Sequence, residues 1–427
     1  MDLNKLINHD IVCECGRVHR CDIETLKIGK GVLDQLDELI NYQNILLVAD
    51  CNTYPLCGEK VEKALGSKIK AKHVFKTEGL LVPNEESSAI VNVLVTPETD
   101  LVLGIGSGVI NDICKYVAWN NRIKSGIIAT APSMDGFASS GAAMILGGMK
   151  VTVTTRAPEI IIGDVEVLKD APMEMIAAGY ADIIGKYSSL NDWKLANLIN
   201  GEHLCPFLYN VTLTATNEVR SLAKKITERD EYAIIKLMET LVASGISMTL
   251  NTNTRPGSGS EHHLSHFFEI TGLIENAPYF LHGTDVGYST VTVAEIREKI
   301  VKIDKPIFNK ISDQDRLNCY EKIYHDFAGE VAAIQEKFGF YKKDLAPLYT
   351  EKWDEIRAIL RECPTADEIR AMLVEVGFDL DKFESFYGAK KIRNSTLFGK
   401  DLKDRYSVLW IYFELFINDK EIQDILA

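Results

Sequence analysis

The stretch DLVLGIGSGVINDICKYVA, residues 100–118, decides the fold, because an apolar strand runs through a glycine turn directly into a helix. Gly104, Gly106 and Gly108 let the backbone approach a phosphate, and a helix beginning at about Ile110 presents N–H groups and the positive end of its dipole. The turn differs from the G-x-G-x-x-G of a typical first Rossmann turn, and tight turns also use glycine for steric reasons alone. Its position after a hydrophobic strand favours a dinucleotide site.

Three further apolar runs have the character of buried parallel strands: residues 44–50, 71–77 and 124–132. Helical stretches lie between these runs, and such alternation predicts a doubly wound sheet with its ligand at the carboxyl ends of the strands. Asp50 ends the first run, where it can accept hydrogen bonds from an adenosine ribose. It can equally cap the turn that follows, and the sequence leaves both roles open.

The pattern changes near residue 170. From Pro172 onward, long amphipathic helical patterns dominate and strand signals are few. A chain of 427 residues is also too long for one ordinary core. We therefore expect an α/β dinucleotide-binding domain over residues 1–170, followed by an all-α domain over residues 171–427 that binds metal and substrate.

The composition limits the class of protein. A hydrophobic fraction of 46% and a charged fraction of 25% are typical of a globular protein. The net charge of −14 argues against nucleic acid as a partner, which needs a basic face. Residues 125–149 are apolar but include Asp135 and many Gly and Ser, which suits a packed loop better than a membrane helix. Because the N-terminus lacks an apolar leader, we expect a cytoplasmic protein without membrane insertion.

Histidines gather in one part of the chain. The segment SGSEHHLSH, residues 258–266, holds three of the nine histidines. If it is helical, His262 and His266 are four residues apart and share a face, while His263 points elsewhere. His282 follows after a break at Pro278. Two imidazoles on one face and a third nearby indicate a metal site.

A catalytic divalent metal typically takes three protein ligands and keeps one position open, so a carboxylate ligand is expected as well. Asp182 lies inside an otherwise apolar helical stretch, where an unpaired carboxylate would be costly. Asp192 is the rival, although its neighbours Trp193 and Lys194 also suit an exposed or simply paired side chain.

A second group of metal-binding side chains lies near the start of the chain, where CECGRVHRC contains Cys13, Cys15, His19 and Cys21. This spacing is not that of a standard zinc finger. It favours a short β-hairpin turning at Gly16, with the cysteines as small apolar residues, and whether they bind a second metal stays open.

Five motifs occur in an order that resembles a known family: GIGSGVIND, TAPSMDGFAS, AAGYADIIGK, RPGSGSEHHLSH and HGTDVG. Together they resemble the metal-dependent polyol dehydrogenase superfamily that includes glycerol dehydrogenase and dehydroquinate synthase. Within it, APSMDGFASSGAAM and RPGSGSEH are most similar to the sn-glycerol-1-phosphate dehydrogenases. The C-terminal stretches RECPTADEIRAMLVEVG and IRNSTLFGKDLKDRYSVL resemble the bacterial branch, sometimes labelled AraM.

The resemblance implies a dehydroquinate synthase-like fold, an α/β dinucleotide-binding domain followed by an all-α domain. Carried over residue by residue, it implies metal ligands at Asp182, His262 and His282, and substrate contacts from Asp135 and His266. It also implies a set of residues around the dinucleotide: Asp50, Gly106, Ser107, Gly108, Thr130, Ser133 and Ser139. HGTDVG departs from the family pattern at Thr284-Asp285, which leaves open the group that orients His282.

The activity implied is the interconversion of dihydroxyacetone phosphate and sn-glycerol 1-phosphate, a product that feeds phospholipid biosynthesis. The cofactors implied are NAD, or NADP, and one divalent metal, zinc or nickel. The substrate phosphate needs a cation, for which Arg255 is the first candidate and Lys186 the second. The alternative for Arg255 is a solvated loop residue. A homo-oligomer, such as a dimer, is expected.

Two other functions compete with this one. A polyol dehydrogenase acting on glycerol or another unphosphorylated polyol would use the same metal and cofactor. A non-catalytic protein that binds nucleotide and metal would keep the ligands without turnover, although every candidate ligand is present.

Overall fold

Six parallel strands form the central sheet of the computed structural model, which describes residues 2–76 and 81–427. The order in the sheet is β3-β10-β7-β6-β4-β5, and two antiparallel hairpins, β1-β2 and β8-β9, stand apart from it. The strands are Asp10–Val12 (β1), Val18–Arg20 (β2), Thr25–Gly29 (β3), Ile45–Asp50 (β4), Ile69–Phe75 (β5), Leu101–Gly106 (β6), Lys124–Ala129 (β7), Gly141–Leu146 (β8), Met149–Thr154 (β9) and Ile160–Asp164 (β10). The expected strands are confirmed, except that Thr77 lies outside the described residues.

The helices follow the expected division: the first five α-helices accompany the strands, and every described element from residue 173 onward is helical. They are Leu36–Leu39 (α1), Tyr54–Leu65 (α2), Glu85–Asn92 (α3), Gly108–Asn121 (α4), Val165–Leu168 (α5), Met173–Ile184 (α6), Lys186–Asn200 (α7), Pro206–Arg220 (α8), Ala223–Thr227 (α9), Glu231–Asn251 (α10), Ser260–Glu275 (α11), His282–Val301 (α12), Asp313–Tyr324 (α13), Ala328–Phe338 (α14), Ala346–Glu351 (α15), Trp353–Leu360 (α16), Ala366–Glu375 (α17), Asp381–Phe398 (α18), Val408–Phe416 (α19) and Asp419–Leu426 (α20).

The chain divides into two compact units, and their boundaries differ from the predicted one. The first unit takes the described part of Met1–Ile183 together with Cys205–Gly257, and the second takes Ile184–Leu204 with Ser258–Ala427. Helix α10 belongs to the first unit because it packs against α8, α5 and strands β2 and β3. A single boundary near residue 170 therefore misses the helices that return to the sheet.

Within the first unit, the sheet provides a place for a ligand. Strand β6 and all of β4 except its last residue, Asp50, are apolar and buried, as is typical of parallel strands covered on both faces. The chain leaves β4 toward β5 on one side, and β6 pairs with β4 on the other. Ligands of open α/β sheets bind outside the carboxyl ends of the strands at such a reversal. Here those ends are Asp50 and Gly106.

Within the second unit, α11 is almost completely buried, packed against α12, α7 and α18. Aromatic side chains hold the surrounding helices together, and the rings of Phe268 and Tyr387 stack with centroids 4.2 Å apart. Helix α17 begins with a capping box, in which the side chains of Thr365 and Glu368 each accept a hydrogen bond from the other's backbone N–H.

Among the described residues, one helix has the length and apolar composition of a membrane span. This is α10, and 78% of its most apolar window is buried inside the protein. Buried core helices of globular proteins pass the same test, so α10 gives only weak support for a membrane.

Candidate dinucleotide-binding and metal-binding residues

The glycine turn joins β6 to α4 as a strand-to-helix connection. The helix begins at Gly108 rather than at about Ile110, and Ser107 precedes it without a side-chain cap. A Cβ atom at Gly106 would lie 2.6 Å from Cγ1 of Ile110, so only glycine fits there. The first N–H groups of a helix have no partner within the helix. The turn therefore offers N–H donors and a positive dipole end to an anion.

The loop after β7 lies beside this turn. The N–H of Thr130 donates to the carbonyl of Gly106 at 3.0 Å, and the hydroxyl oxygens of Ser133 and Ser107 lie 2.5 Å apart. The Ser139 hydroxyl donates to the Gly136 carbonyl at 3.1 Å, so it holds its own loop together. The structure thus brings Thr130 and Ser133 to the glycine turn, while Ser139 has a local role.

The Lys115 ammonium, which the sequence did not single out, also holds this loop. It is buried under the loop, where it donates to the carbonyls of Gly136, at 3.1 Å, and of Gly141. The sequence feature that could have identified Lys115 is the position of a lysine on the apolar face of α4.

Asp50 caps the turn that follows β4. Its Oδ1 atom accepts hydrogen bonds from the N–H groups of Asn52 and Thr53, at 2.8 and 2.9 Å. The Thr53 hydroxyl then donates to the Ile105 carbonyl at 2.8 Å, which ties the turn to β6. The sequence left two roles open for Asp50, and the structure shows the capping role. The ribose contact stays a prediction.

Two predicted site residues of the first unit, Asp135 and Asp182, are buried next to each other. The N–H of Asp135 donates to Oδ2 of Asp182 at 2.9 Å. The Ser244 hydroxyl donates to Oδ2 of Asp135 at 2.8 Å. Asp182 is fully buried on α6, so this carboxylate does not have the aqueous hydration that an isolated carboxylate requires.

Two glycines let the loop that carries Asp135 approach the helices closely. A Cβ atom at Gly179 of α6 would lie 1.9 Å from the carbonyl oxygen of Pro132. At Gly245 of α10, a Cβ atom would lie 2.8 Å from the carbonyl oxygen of Asp135. Backbone packed this tightly has little freedom to move, so the glycines determine where Asp135 lies.

The interpretation of Arg255 as a solvated loop residue is wrong, because Arg255 is only 1% exposed. Its N–H donates to Oδ1 of Asn253 at 2.9 Å, and its carbonyl accepts from Nδ2 of Asn251 at 3.2 Å. The second phosphate candidate, Lys186, is fully buried as well.

Three imidazoles gather in the second unit, as the helical spacing predicted. The ring centroids of His262 and His266 lie 6.1 Å apart on α11. His282, the first residue of α12, lies 5.2 Å from His262 and 5.5 Å from His266. His263 points elsewhere, with its Nδ1 atom 3.5 Å from the Ser407 hydroxyl. His263 is therefore outside the cluster.

Two buried glutamates, which the sequence analysis missed, hold the imidazoles. Nδ1 of His262 lies 2.8 Å from Oε1 of Glu261, and Nδ1 of His282 lies 3.0 Å from Oε1 of Glu269. A carboxylate that holds Nδ1–H leaves Nε2 free to bind a metal, and metal-ligating histidines usually have such a partner. Both glutamates lie on a helix whose other residues are mainly apolar or histidine, and this feature of the sequence could have identified them.

Glu261 is held as a carboxylate by its partners. Burial raises the pKa of the Glu261 carboxyl, but hydrogen bonds from His262, Ser188 and the N–H of Gly259 lower it to about 2. The negative charge therefore persists at neutral pH and stabilises Nδ1–H of His262.

The question left by Thr284-Asp285 is answered within the same unit. Both carboxylate oxygens of Asp285 accept from the Tyr387 hydroxyl, at 2.9 and 3.0 Å. Asp285 therefore holds Tyr387, and Glu269 contacts Nδ1 of His282.

Asp192, the rival carboxylate, is structural. It pairs with Arg297 at 3.0 Å and accepts from the N–H groups of Ser260, at 2.6 Å, and Val408, at 3.0 Å. These bonds cap α11 and α19 and fully occupy a buried carboxylate.

We expect Glu269→Gln to weaken binding of a divalent metal by about 10- to 100-fold, because the neutral amide no longer stabilises Nδ1–H of His282. Titration of metal-stripped protein with Ni²⁺ measures the loss. Glu275→Gln, at the end of the same helix, is the matched control, since Glu275 pairs with Lys391 instead. Equal affinities for the two variants would contradict the orienting role of Glu269.

Comparison with known proteins gives the class first. A sequence model of the family described as iron-containing alcohol dehydrogenase matches residues 27–172. The solved structure of sulfoacetaldehyde reductase from Bifidobacterium kashiwanohense in complex with NAD+ superposes with a TM-score of 0.62 and 15% identity, covering 95% of this chain and 96% of that one. The predicted fold class, an α/β domain followed by an all-α one, is confirmed.

Curated relatives then give the family. A glycerol-1-phosphate dehydrogenase [NAD(P)+] of Halalkalibacterium halodurans is 34% identical over 70% of this chain and 79% of its own length. One from Geobacillus thermodenitrificans is 30% identical over 85% of this chain and 86% of its own. The chain belongs to the glycerol-1-phosphate dehydrogenase family, and the resemblance seen in its motifs is confirmed.

Proposed function

We propose that this protein is an oxidoreductase that interconverts dihydroxyacetone phosphate and sn-glycerol 1-phosphate with NAD or NADP and one divalent metal. The names of its relatives support the substrate and the nucleotide. The observation that carries the metal is the pair of imidazoles, His262 and His282, each oriented by a buried glutamate. Asp182, the fully buried carboxylate of the first unit, is the third ligand in this proposal.

The donor set suits the metal. Two imidazoles and one carboxylate leave an open position for substrate, as in catalytic sites. They fit zinc or nickel, and availability rather than affinity decides between such metals. When bound, the metal acts as a Lewis acid on the substrate's C2 oxygen, and the nicotinamide supplies or accepts the hydride.

The chain's own residues position the reactants. The glycine turn at Gly106, Ser107 and Gly108 presents N–H donors to the dinucleotide phosphates. Asp50, at the carboxyl end of β4, is proposed to use its remaining acceptor capacity for the ribose. These assignments place the dinucleotide at the reversal point of the sheet.

Asp135 and His266 are proposed to face the substrate. The Asp135 carboxylate is held by the Ser244 hydroxyl at 2.8 Å, so it is a fixed acceptor for a substrate hydroxyl. His266 lies beside the other two imidazoles, where it can hold a hydroxyl or pass a proton to solvent. Thr130, Ser133 and Ser139, which lie on the loop that contains Asp135, are proposed to line the dinucleotide.

Metal-stripped protein given Zn²⁺ or Ni²⁺ tests the function directly. We expect NADH oxidation with dihydroxyacetone phosphate to return with the metal and to remain low with free dihydroxyacetone. Turnover with free dihydroxyacetone alone would assign a polyol dehydrogenase instead. Stoichiometric metal without turnover on either substrate would assign a non-catalytic binding protein.

Arg255 is proposed to bind the substrate phosphate. We expect Arg255→Ala to raise KM for dihydroxyacetone phosphate by about 10- to 100-fold, because a charge-assisted hydrogen bond contributes roughly 1.5–3 kcal/mol. Turnover on free dihydroxyacetone, which has no phosphate, serves as the internal control. Arg255→Lys keeps the positive charge, so comparing it with Arg255→Ala separates the effect of the charge from an effect on folding. An equal loss on both substrates would contradict the phosphate role.

The remaining properties are proposed from the class of protein. A homo-oligomer in the cytoplasm, supplying a glycerol phosphate for phospholipid biosynthesis, is consistent with an acidic surface and a small phosphorylated substrate. Sedimentation of the purified protein measures the oligomeric state.

A further inference from the structure

A second group of side chains of the metal-binding types lies in the first unit. Cys13, Cys15 and His19 come from the β1-β2 hairpin, and Cys205 directly precedes α8. Each offers a ligand atom, and these atoms all lie within 4.8 Å of one another. We name these four residues the hairpin cluster. The β-hairpin expected from CECGRVHRC is confirmed.

Distances within the hairpin cluster match tetrahedral coordination. Sγ of Cys13 and Sγ of Cys205 lie 3.6 Å apart. Nε2 of His19 lies 3.4 Å from Sγ of Cys15 and 3.4 Å from Sγ of Cys205. With zinc–sulfur bonds of about 2.3 Å and zinc–nitrogen bonds of about 2.0–2.1 Å, tetrahedral ligand atoms lie about 3.5–3.8 Å apart. The observed spacing is close to that range.

The imidazole of His19 is oriented for a ligand. Its Nδ1 atom lies 2.8 Å from the carbonyl oxygen of Leu250, which can only accept a hydrogen bond. Nδ1 therefore carries the proton, and the lone pair of Nε2 faces the sulfur atoms. His19 is buried, and a buried imidazole held in this way is the usual arrangement of a zinc-binding histidine.

The backbone of the turn presents the first two cysteines together. The N–H of Cys13 donates to the Arg17 carbonyl, and the N–H of Gly16 donates to the Cys13 carbonyl, both at 3.0 Å. Gly16 has a φ of +86°, a conformation that favours glycine. The tight turn brings Cys13 and Cys15 to one side of the hairpin, toward Cys205.

Cys21, the fourth candidate from sequence spacing, is not part of the hairpin cluster. It is only 1% exposed, and its sulfur is not among the ligand atoms that lie within 4.8 Å of one another. The fourth ligand comes instead from Cys205, 192 residues after Cys13. No spacing rule within the motif could identify it.

We propose that Cys13, Cys15, His19 and Cys205 bind one structural zinc ion. Three thiolates and one imidazole are a closed donor set, which is typical of structural rather than catalytic zinc. The ion would join the N-terminal hairpin to α8, and His19 extends the link to Leu250 at the end of α10. It would thereby hold the returning helices of residues 205–257 in the first unit.

Cobalt substitution in the full-length protein distinguishes this site from the histidine site. Thiolate ligands give Co²⁺ an intense near-ultraviolet charge-transfer band, whereas imidazole and carboxylate ligands do not. We expect the band both in the wild type and in His262→Ala. The His262→Ala variant should bind one metal ion per chain fewer than the wild type, because it lacks the histidine site. Absence of the band in reduced wild-type protein would overturn the proposal without any variant.

Cysteine variants test which ligands bind. We expect Cys205→Ser to lose the band, one zinc per chain and thermal stability, while Cys21→Ser and the exposed Cys51→Ser keep the band and the zinc. Cys15→Ser, at a half-buried position, gives the same test if Cys205→Ser does not fold. A band that survives both ligand variants, or a Cys13–Cys205 disulfide in place of metal in reduced protein, would contradict the zinc site.

Discussion

Replacing His262 with alanine is expected to remove the catalytic metal and to lower turnover on dihydroxyacetone phosphate by about a thousandfold. The loss corresponds to roughly 4 kcal/mol of transition-state stabilisation, the scale that Lewis-acid polarisation of a carbonyl supplies. His262 is one of the two imidazoles whose Nδ1 atom is held by a buried glutamate, which leaves its Nε2 atom for the metal. Metal analysis and NADH oxidation measure both effects.

His263→Ala is the matched control for this prediction. It removes an imidazole from the next position of the same helix, but His263 faces Ser407 and lies outside the three-ring cluster. We expect this variant to keep its metal and its turnover, with only a loss of thermal stability from the cavity it leaves. If His262→Ala kept its metal and stayed within tenfold of the wild type, the proposed ligand set would be wrong.

Gly179→Ala is expected to lower kcat/KM by about a hundredfold although it adds only one methyl group. The new Cβ would lie 1.9 Å from the Pro132 carbonyl oxygen, so the loop must move. That loop carries Ser133 and Asp135, and displacing a positioning group by about 1 Å can cost about a hundredfold in rate. Steady-state kinetics with dihydroxyacetone phosphate measure the loss.

Gly329→Ala provides the control for a glycine in a helix. Nothing lies within 4 Å of a Cβ atom at Gly329, so the methyl group enters open space. We expect unchanged kinetics and a gain of about 0.4–1 kcal/mol in unfolding free energy. Wild-type kinetics in Gly179→Ala would show that the loop adjusts without moving Asp135, and the positioning argument would fail.

The fold and part of the site were predictable because their signals are local. Gly104, Gly106 and Gly108 sit on one continuous strand–turn–helix, whose geometry follows from short-range sterics. His262 and His266 share a face because helical periodicity requires it. Both features depend on residues a few positions apart, and the structure confirms both.

Other parts of the site depend on residues far apart in the chain. Glu269 holds His282 from 13 positions away, and Arg297 pairs with Asp192 from 105 positions away. A buried carboxylate in a sequence indicates a partner but does not say which one. For that reason the sequence left Asp182 and Asp192 as rival candidates for the metal ligand. The structure gives Asp192 a structural role through its bonds to Arg297, Ser260 and Val408.

The sequence alone determined the glycine turn between a strand and a helix, the division into strands followed by helices, the histidine helix and, through its motifs, the family. Only the tertiary structure decided that residues 205–257 return to the first unit, that Glu261 and Glu269 orient the imidazoles, and that Cys205 replaces Cys21 beside Cys13. The physical reason is that periodicity and sterics act between neighbours in sequence. Packing and hydrogen bonding bring together side chains that no local pattern relates.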